Sequence, residues 1–552
     1  MNYADKRVLI IEDQRPFLLL LRGLLNSMGC TDVVTKSSAE QALALCAKQK
    51  FDIIIADLHL GAERKNGFEL VEELRIRQLI KPSSIFMLIS ADSARPVVLG
   101  SVERRPDDYL IKPFSQVQLK NRLNRAWQKR QALLPIYSAI NAEQPQIAID
   151  ACHSIIQANT NYQHSAEQLL VELYWQEAQY QQALEVIKPY EQGQNAQWVK
   201  TALARTYLQL GKAETAIALC DQILMKNRFS AEAYDIIAHA RQAINDGEAA
   251  IAAINQAIKL SPYSLPRYYS ACDIARLNKD YMLASQACLA IWDLSKRTVH
   301  QNIAHWCGYI RSMLDVAEYT EDKRTRNRYQ QDALLQLQRG RFDEAVARMS
   351  GDFNYDIYEQ VVLARIATLD GKKLDAKRAL FQSQQSIDAG YESYPLYYAP
   401  DSLKVMLELG EYEDAQPLAE LLSLHRDSLD PNTSHAVELA SAKATDKQSA
   451  YLQFNRQGIS LYQQNKFAEA RMAFTQAQDY APVNTGVALN LMQCILKLAA
   501  PHKNPPRELS VECKRLCRLI DDVPLKPQHQ EKYAALREEI NELMIEPIVK
   551  RR

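Results

Sequence analysis

Glycine is scarce in this chain. Sixteen of 552 residues are glycine, where ordinary usage is about 7%, and the shortage favours a mostly helical chain with short turns. No uninterrupted run of about 18 apolar residues occurs, so no membrane span is read. The first residues, MNYADKRVLI, hold no long apolar core before a cleavage site, so no signal peptide is read. An excess of either charge is also missing: 66 basic residues balance 66 acidic ones. The chain therefore lacks the overall basic footprint of a nucleic-acid binder, although a local patch is compatible with neutrality. Ten cysteines are scattered rather than packed into a small frame, which suits reduced thiols in a cytoplasm. Cys513 and Cys517 form the one close pair. Without a second pair or a nearby histidine they are two thiols on a helix face, not a zinc site.

What is present begins with alternation. Five strand-like runs, Arg7–Ile11, a weaker one at Asp32–Thr35, Asp52–Ala56, Ile85–Ile89 and Tyr109–Ile111, alternate with helical patterns. Such alternation predicts a parallel sheet with helices on both faces, and ligands of such sheets sit beyond the carboxyl ends of the strands. At those ends stand Glu12 and Asp13, then Asp57, then Ser90 and Ala91, then Lys112. Three carboxylates that close raise each other's pKa unless a cation joins them. A hard divalent ion with oxygen ligands, magnesium above all, meets that need. It would hold and polarise a phosphate. Asp57 would then serve as a nucleophile and become an aspartyl phosphate, with Lys112 and Ser90 contacting the new phosphoryl oxygens.

On these residues, Glu12-Asp13, Asp57, Ser90-Ala91 and Lys112-Pro113-Phe114, residues 1–132 resemble the CheY-like receiver domain of bacterial two-component response regulators. The resemblance implies a flavodoxin-like α/β fold with a five-stranded parallel sheet in the order 2-1-3-4-5. It implies that Asp57 is phosphorylated by a histidine kinase or phosphotransfer protein. It implies Mg2+ held by Glu12, Asp13, Asp57 and the backbone carbonyl of His59, and a cis bond before Pro113. Ser90 and Tyr109 match the family's switch positions. Two departures concern the partner-facing surface. The loop from Leu58 to Gly67 is a residue or two longer than usual and lacks the usual proline, and Arg104-Arg105-Pro106 replaces small residues before the last strand.

From about residue 133 the strand signals stop and a cassette returns. It is an aromatic residue or leucine, a short turn, then a polar residue and alanine. The alanines are Ala148, Ala183, Ala216, Ala250 and Ala284, at intervals of 35, 33, 34 and 34 residues. Ala345, Ala376, Ala415 and Ala470 follow at intervals that become irregular. This period with a small residue at a fixed place resembles the tetratricopeptide (TPR) repeat, an all-α solenoid of paired helices. The later copy with Gly458, Tyr462, Phe467, Ala470, Phe474, Ala477 and Pro482 fits best. The expected division is a first array over 133–295, an irregular helical connection over 296–326 and divergent repeats over 327–423. A loop or linker over 424–450, with turn chemistry in DSLDPNTSHA, and a last repeat with capping helices over 451–552 complete it. Polar residues on first helices, such as Arg205, Asp235 and Asn490, face the groove or simply water. Trp175, Trp198 and Trp306 are read as core.

The functional expectation is a cytoplasmic, non-enzymatic phosphorelay regulator whose array binds a protein or peptide as adaptor, competitor or inhibitor. After residue 130 there is no GGDEF or EAL string, no His-Asp metal pair and no glycine loop to cradle phosphate, which argues against an enzymatic output. No compact DNA-binding module stands out. The basic run from Lys120 to Arg130 is read as a solvated face or a dimer surface, so an oligomer stays open. An array sensing a small signalling peptide is a further alternative.

Overall fold

A computed structural model describes residues 1–61, 65–91, 106–158, 161–191, 197–349, 351–502 and 506–543. The readings made on Ala62 to Arg64, on Arg104 and Arg105, and on the end of the capping region lie outside them. The chain packs as two units. One is Met1–Leu283 with Leu289–Asn302, and the other is Ala284–Cys288 with the residues from Ile303 onward.

The first unit opens with β1 (Arg7–Ile11), β2 (Asp32–Lys36), β3 (Ile53–Asp57), β4 (Ile85–Ser90) and β5 (Asp108–Ile111). All neighbours are parallel and the sheet order is β2-β1-β3-β4-β5. Strands β1, β3 and β4 are apolar and almost wholly buried, as central parallel strands covered on both faces must be. Successive side chains point to opposite faces. Leu9, Ile11, Ile54, Phe86 and Leu88 pack on one side, with α2 (Ala39–Lys48) and α3 (Gly67–Ile76). Val8, Ile10, Ile55, Met87 and Ile89 pack on the other, with α1 (Arg15–Ser27) and the helix Gln116–Ala132. Helix starts are set locally. The Asn66 side chain accepts from the Glu69 amide and Glu69 answers to the Asn66 amide, a reciprocal cap that begins α3. Ser115 and Gln118 do the same for Gln116–Ala132.

The rest of the first unit is helix pairs. Gln163–Gln176 with Tyr180–Ile187, Gln197–Gln209 with Ala213–Lys226, and Ala231–Ala243 with Gly247–Leu260 are successive pairs. The cassette has two physical parts. Its alanines, from Ala148 to Ala470, are all buried, because a methyl is as much as two closely approaching helices admit. Five residues before each of eight of them stands a residue with positive φ: Glu143, Ala178, Gly211, Asn245, Lys279, Gly371, Gly410 and Asn465. One left-handed residue closes the first helix and lets the chain reverse. Five of the eight are not glycine, two of them asparagine, which is how a glycine-poor chain makes so many turns; a single such residue is tolerated at a cost of about 1–2 kcal/mol.

In the second unit two expected boundaries change. Ile303–Tyr319 is a regular helix with Trp306, Cys307, Ile310 and Leu314 buried, where an irregular helical connection over 296–326 was expected. The cassette lapses there, but the helical period does not. The expected loop at 424–450 is helical beyond a short 3-10 turn at Arg426–Ser428. One helix runs from Pro431 to Gln463, capped by the Asp430 side chain, which accepts from the Thr433 amide. Aspartate at the cap and proline at the first helical position start helices as readily as they make turns. In the last repeat a Cβ on Gly458 would stand 2.7 Å from the Phe474 ring, so the glycine exists to admit that ring. Arg507–Asp521 and Pro527–Glu542 follow. No helix among the described residues is long and apolar enough to cross a membrane.

Candidate functional site

The sheet register assembles the site. Ile11 pairs with Ala56, Asp57 with Ile89, and Ser90 with Ile111. Glu12, Asp57, Ser90 and Lys112 therefore emerge side by side at one edge. Glu12, Asp57 and Ser90 are buried and Asp13 is exposed. One carboxylate oxygen from each of Glu12, Asp13 and Asp57 lies within 4.8 Å of the others. The Lys112 ammonium donates to Glu12 Oε2 at 2.8 Å and to Asp57 Oδ2 at 2.6 Å. Three carboxylates face one ammonium, so the ionised pocket is two positive charges short of neutral. Burial pushes the Glu12 carboxyl up to about 7; Lys112 opposes that rise and the charge of Asp57 adds to it. Both the deficit and the raised acid fit a divalent cation with oxygen ligands.

The remaining expected residues are placed as follows. The His59 amide donates to Asp57 Oδ1 at 3.4 Å. The Lys112 amide donates to the Ser90 carbonyl at 2.8 Å, tying β5 to β4. The Lys112–Pro113 bond is cis. Ala91 is exposed beyond β4. Tyr109 is half-buried and packs beside Phe86 and Leu88 on the α3 face of the sheet. Pro106 is described and Arg104 and Arg105 are not.

Phe17 and Gly67 had no role assigned from the sequence, and Phe114 none beyond its place in the motif. The Phe17 ring lies 3.9 Å from the Lys112 ammonium, and Phe114 meets Phe17 edge-on at 5.9 Å. The two rings wall the lysine and direct it inward, a cation–π contact of about 0.5–2 kcal/mol. Gly67 is as demanding. Its Cβ would fall 2.6 Å from the Asp57 carbonyl and 2.6 Å from Leu88 Cδ2, so α3 can start this close to the end of β3 only on glycine.

Within the same unit the sheet is joined to the first helix pairs. Asp107, two residues before Tyr109, accepts from Arg130 Nε at 3.0 Å and from the Phe86 amide at 2.8 Å. The Arg130 guanidinium stacks on Tyr137 at 3.8 Å. On α3, Glu72 Oε1 lies 3.0 Å from His300 Nε2, beyond the last helix of the first array. Arg205 stacks on Trp175 at 4.3 Å, and Asp235 pairs with Arg267 at 2.7 Å. Those two groove candidates are thus engaged in structure. Trp306 is core, while Trp175 and Trp198 are half-buried.

Comparison with known proteins defines the class. Residues 8–124 match the response regulator receiver domain. The N-terminal sheet and its acidic pocket are a two-component receiver of CheY-like fold. Residues 174–240 and 231–264 match the tetratricopeptide repeat. The chain therefore carries a response regulator receiver domain over residues 8–124 and tetratricopeptide repeats within residues 174–264. The chain is 32% identical over 139 residues to the alkaline phosphatase synthesis transcriptional regulatory protein PhoP of Bacillus subtilis, covering 25% of this chain and 55% of PhoP. It is 38% identical over 121 residues to the two-component response regulator ARR2 of Arabidopsis thaliana, covering 21% of this chain and 17% of ARR2. It thus spans less than two thirds of either relative. Among solved structures, the chemotaxis response regulator CheY4 of Vibrio cholerae is 23% identical, with a TM-score of 0.20 over 22% of this chain and 98% of that one.

Proposed function

We propose that the chain is a phosphorelay regulator in which phosphorylation of Asp57 controls the protein–protein interactions of the TPR region. The observation that carries this reading is the Lys112 ammonium bonded to both Glu12 and Asp57 beside a three-carboxylate cluster. In the proposed step an Asp57 oxygen attacks the phosphorus of a phosphohistidine on a kinase or phosphotransfer protein. The new P–O bond forms as the P–N bond breaks, and the histidine nitrogen keeps the electron pair and takes a proton. Glu12, Asp13, Asp57 and the His59 carbonyl would hold Mg2+, which supplies charge neutralisation at the phosphoryl oxygens. Lys112, released from sharing its ammonium between two acids, would bind a phosphoryl oxygen. The Ser90 hydroxyl and the backbone at Ala91 would bind the others, and Ser90 and Tyr109 would carry the change outward.

Two routes favour an output through the array. Asp107 immediately precedes β5, the strand of Tyr109, and is held by Arg130, which stacks on Tyr137 of the helix Leu134–Asn141. Glu72 on α3, the helix that starts against Asp57, meets His300. A phosphoryl group that shifts β5 or α3 would change both contacts. The absence of a recognised enzymatic motif and the cytoplasmic setting belong to the same proposal.

The test uses full-length protein treated with acetyl phosphate and Mg2+, untreated protein and Asp57→Asn. Intact mass should show one phosphoryl group on the wild type alone. Affinity capture with the three forms should recover different partner sets. Identical partners at identical affinities in all three would refute the switching claim.

A further inference from the structure

We propose that Cys513 and Cys517 form a peroxide-sensitive thiol pair, in which a hydroperoxide oxidises Cys517 and Cys513 then closes a disulfide onto it. Both lie on the buried stripe of the helix Arg507–Asp521, with Leu509, Leu516 and Ile520. Four residues apart, they face the same way one turn from each other, and the two thiols hydrogen-bond each other. Thiols buried among apolar groups alone are inert. This pair has polar neighbours.

The helix Pro527–Glu542 brings them. The Tyr533 hydroxyl donates to Asp521 Oδ1 at 2.9 Å and lies 3.4 Å from the Cys517 carbonyl. Arg537 Nη1 stands 3.5 Å from Asp521 Oδ2 and 3.5 Å from the Tyr533 hydroxyl. Cys517 is thus met by a second thiol, a hydroxyl and a guanidinium, which are groups that hold a thiolate. The hydrogen bond from Cys513, aided by Tyr533 and the charge of Arg537, outweighs burial and the charge of Asp521 and brings the Cys517 thiol down to about 7. The same hydrogen bond, followed by burial, raises Cys513, which therefore keeps its proton. Elsewhere burial prevails. It pushes the thiols of Cys30 and Cys46 up to about 11 and those of Cys152, Cys220 and Cys494 up to about 12.

The chemistry balances with a hydroperoxide as the oxidant. The Cys517 thiolate attacks the outer peroxide oxygen. An S–O bond forms as the O–O bond breaks, and the departing oxygen takes the proton that Cys517 had released. The Cys513 sulfur then attacks the Cys517 sulfenic acid. An S–S bond forms as the S–O bond breaks, and the hydroxide leaves with the Cys513 proton as water. The two thiols lose two electrons in total, and the hydroperoxide becomes an alcohol and water. Both sulfurs are buried, but Arg537 and Asp521 beside them are each about a third exposed, and elements near a chain end open locally at low cost. Cβ atoms four residues apart on a helix are about 5–6 Å apart, whereas a disulfide holds them at about 3.5–4.5 Å. Closing the bond therefore tightens that turn and distorts a helix whose buried stripe belongs to the core of the second unit.

The test treats the reduced full-length protein with hydrogen peroxide for increasing times, blocks the remaining thiols with iodoacetamide and digests with trypsin. Cleavage after Arg507, Lys514, Arg515 and Arg518 leaves Cys513 on the peptide Glu508–Lys514 and Cys517 on Leu516–Arg518. A disulfide joins the two peptides at a mass two hydrogens below their sum. The joined pair should form at least about tenfold faster than the Cys30, Cys46 or Cys152 thiol is lost in the same sample, since a lower pKa raises the thiolate fraction more than it reduces nucleophilicity. In Cys513→Ala the Cys517 sulfenic acid has no thiol to close on and should be trapped by dimedone. In Cys517→Ala, Cys513 should take up at least about tenfold less dimedone, because its proton is retained. Arg537→Met should slow formation of the joined pair at least about threefold. Circular dichroism checks that each variant is folded, and the wild-type comparison stands without any variant. Absence of the joined pair, its formation no faster than loss of the other thiols, or equal dimedone labelling of Cys513 and Cys517 in the two alanine variants would each overturn the proposal.

Discussion

Arg365→Met should damage the second unit more than any comparable surface change. Arg365 is buried to 1% exposure within a set of ionic side chains that water hardly reaches. Its guanidinium bonds Asp401 at 2.6 Å, and Asp315 as well. Arg311 also holds Asp401, at 3.0 Å, and Lys404 holds Asp315 at 3.0 Å and Glu318 at 2.6 Å. Three buried cations thus balance three buried acids. Removing Arg365 leaves one buried negative charge uncompensated, which costs about 3–5 kcal/mol. Because the chain has two units, a single melting temperature is a poor measure. The suitable assay is hydrogen exchange on peptides from helices Ile303–Tyr319 and Ala399–Leu409 in the full chain. Every 1.4 kcal/mol is a factor of ten, so their slowest amides should exchange at least about a hundredfold faster. Adding Asp315→Leu restores neutrality, since Lys404 keeps Glu318 and Arg311 keeps Asp401. The double variant should recover more than half of the loss, a coupling expected of residues in one network. A single-variant effect below about 1 kcal/mol, or a double variant worse than the sum, would refute the reasoning.

Other expectations follow from the same structure. Gly67→Ala puts a methyl 2.6 Å from the Asp57 carbonyl and from Leu88. It should destabilise the receiver by about 1–3 kcal/mol and slow acetyl-phosphate labelling of Asp57, read by intact mass; unchanged labelling and stability would refute it. Glu167 is buried, which raises its pKa, but bonds from Tyr190, His164 and Gln163 outweigh that and hold it below the usual carboxylate range. Its folded pKa is depressed, so its contribution is full above the unfolded value and is lost as pH falls through the folded one. Acid unfolding of the first array, followed by hydrogen exchange, should be less steep in Glu167→Gln below about pH 4, and an unaltered profile would count against the bonds described. Gly371 and Gly410 both have positive φ, but only at Gly410 would a Cβ collide, at 2.6 Å from Ala481 Cα. Gly371→Ala should cost about 1 kcal/mol and Gly410→Ala clearly more, measured by urea unfolding; equal costs would refute the steric argument.

The receiver pocket was legible because each of its residues ends or directly follows a strand of the parallel sheet. In a parallel sheet, following a strand fixes a position at one edge, so Glu12, Asp57, Ser90 and Lys112 converge once the strands are recognised. The array was legible because alanine and a turn recur at a fixed spacing, and that spacing is one helix pair. The Asp430-Pro431 step was misread as a loop because the same dipeptide begins helices. Sequence by itself therefore determined the order of elements, the chemistry of the strand ends and the period of the solenoid, which are local or one-dimensional properties. Only the tertiary structure decided that Phe17 walls Lys112, that Arg130 seizes Asp107 and that His300 reaches Glu72 from 228 residues away. Charge pairing between distant helices depends on which faces meet, and many pairings of the same residues are equally neutral until packing selects one.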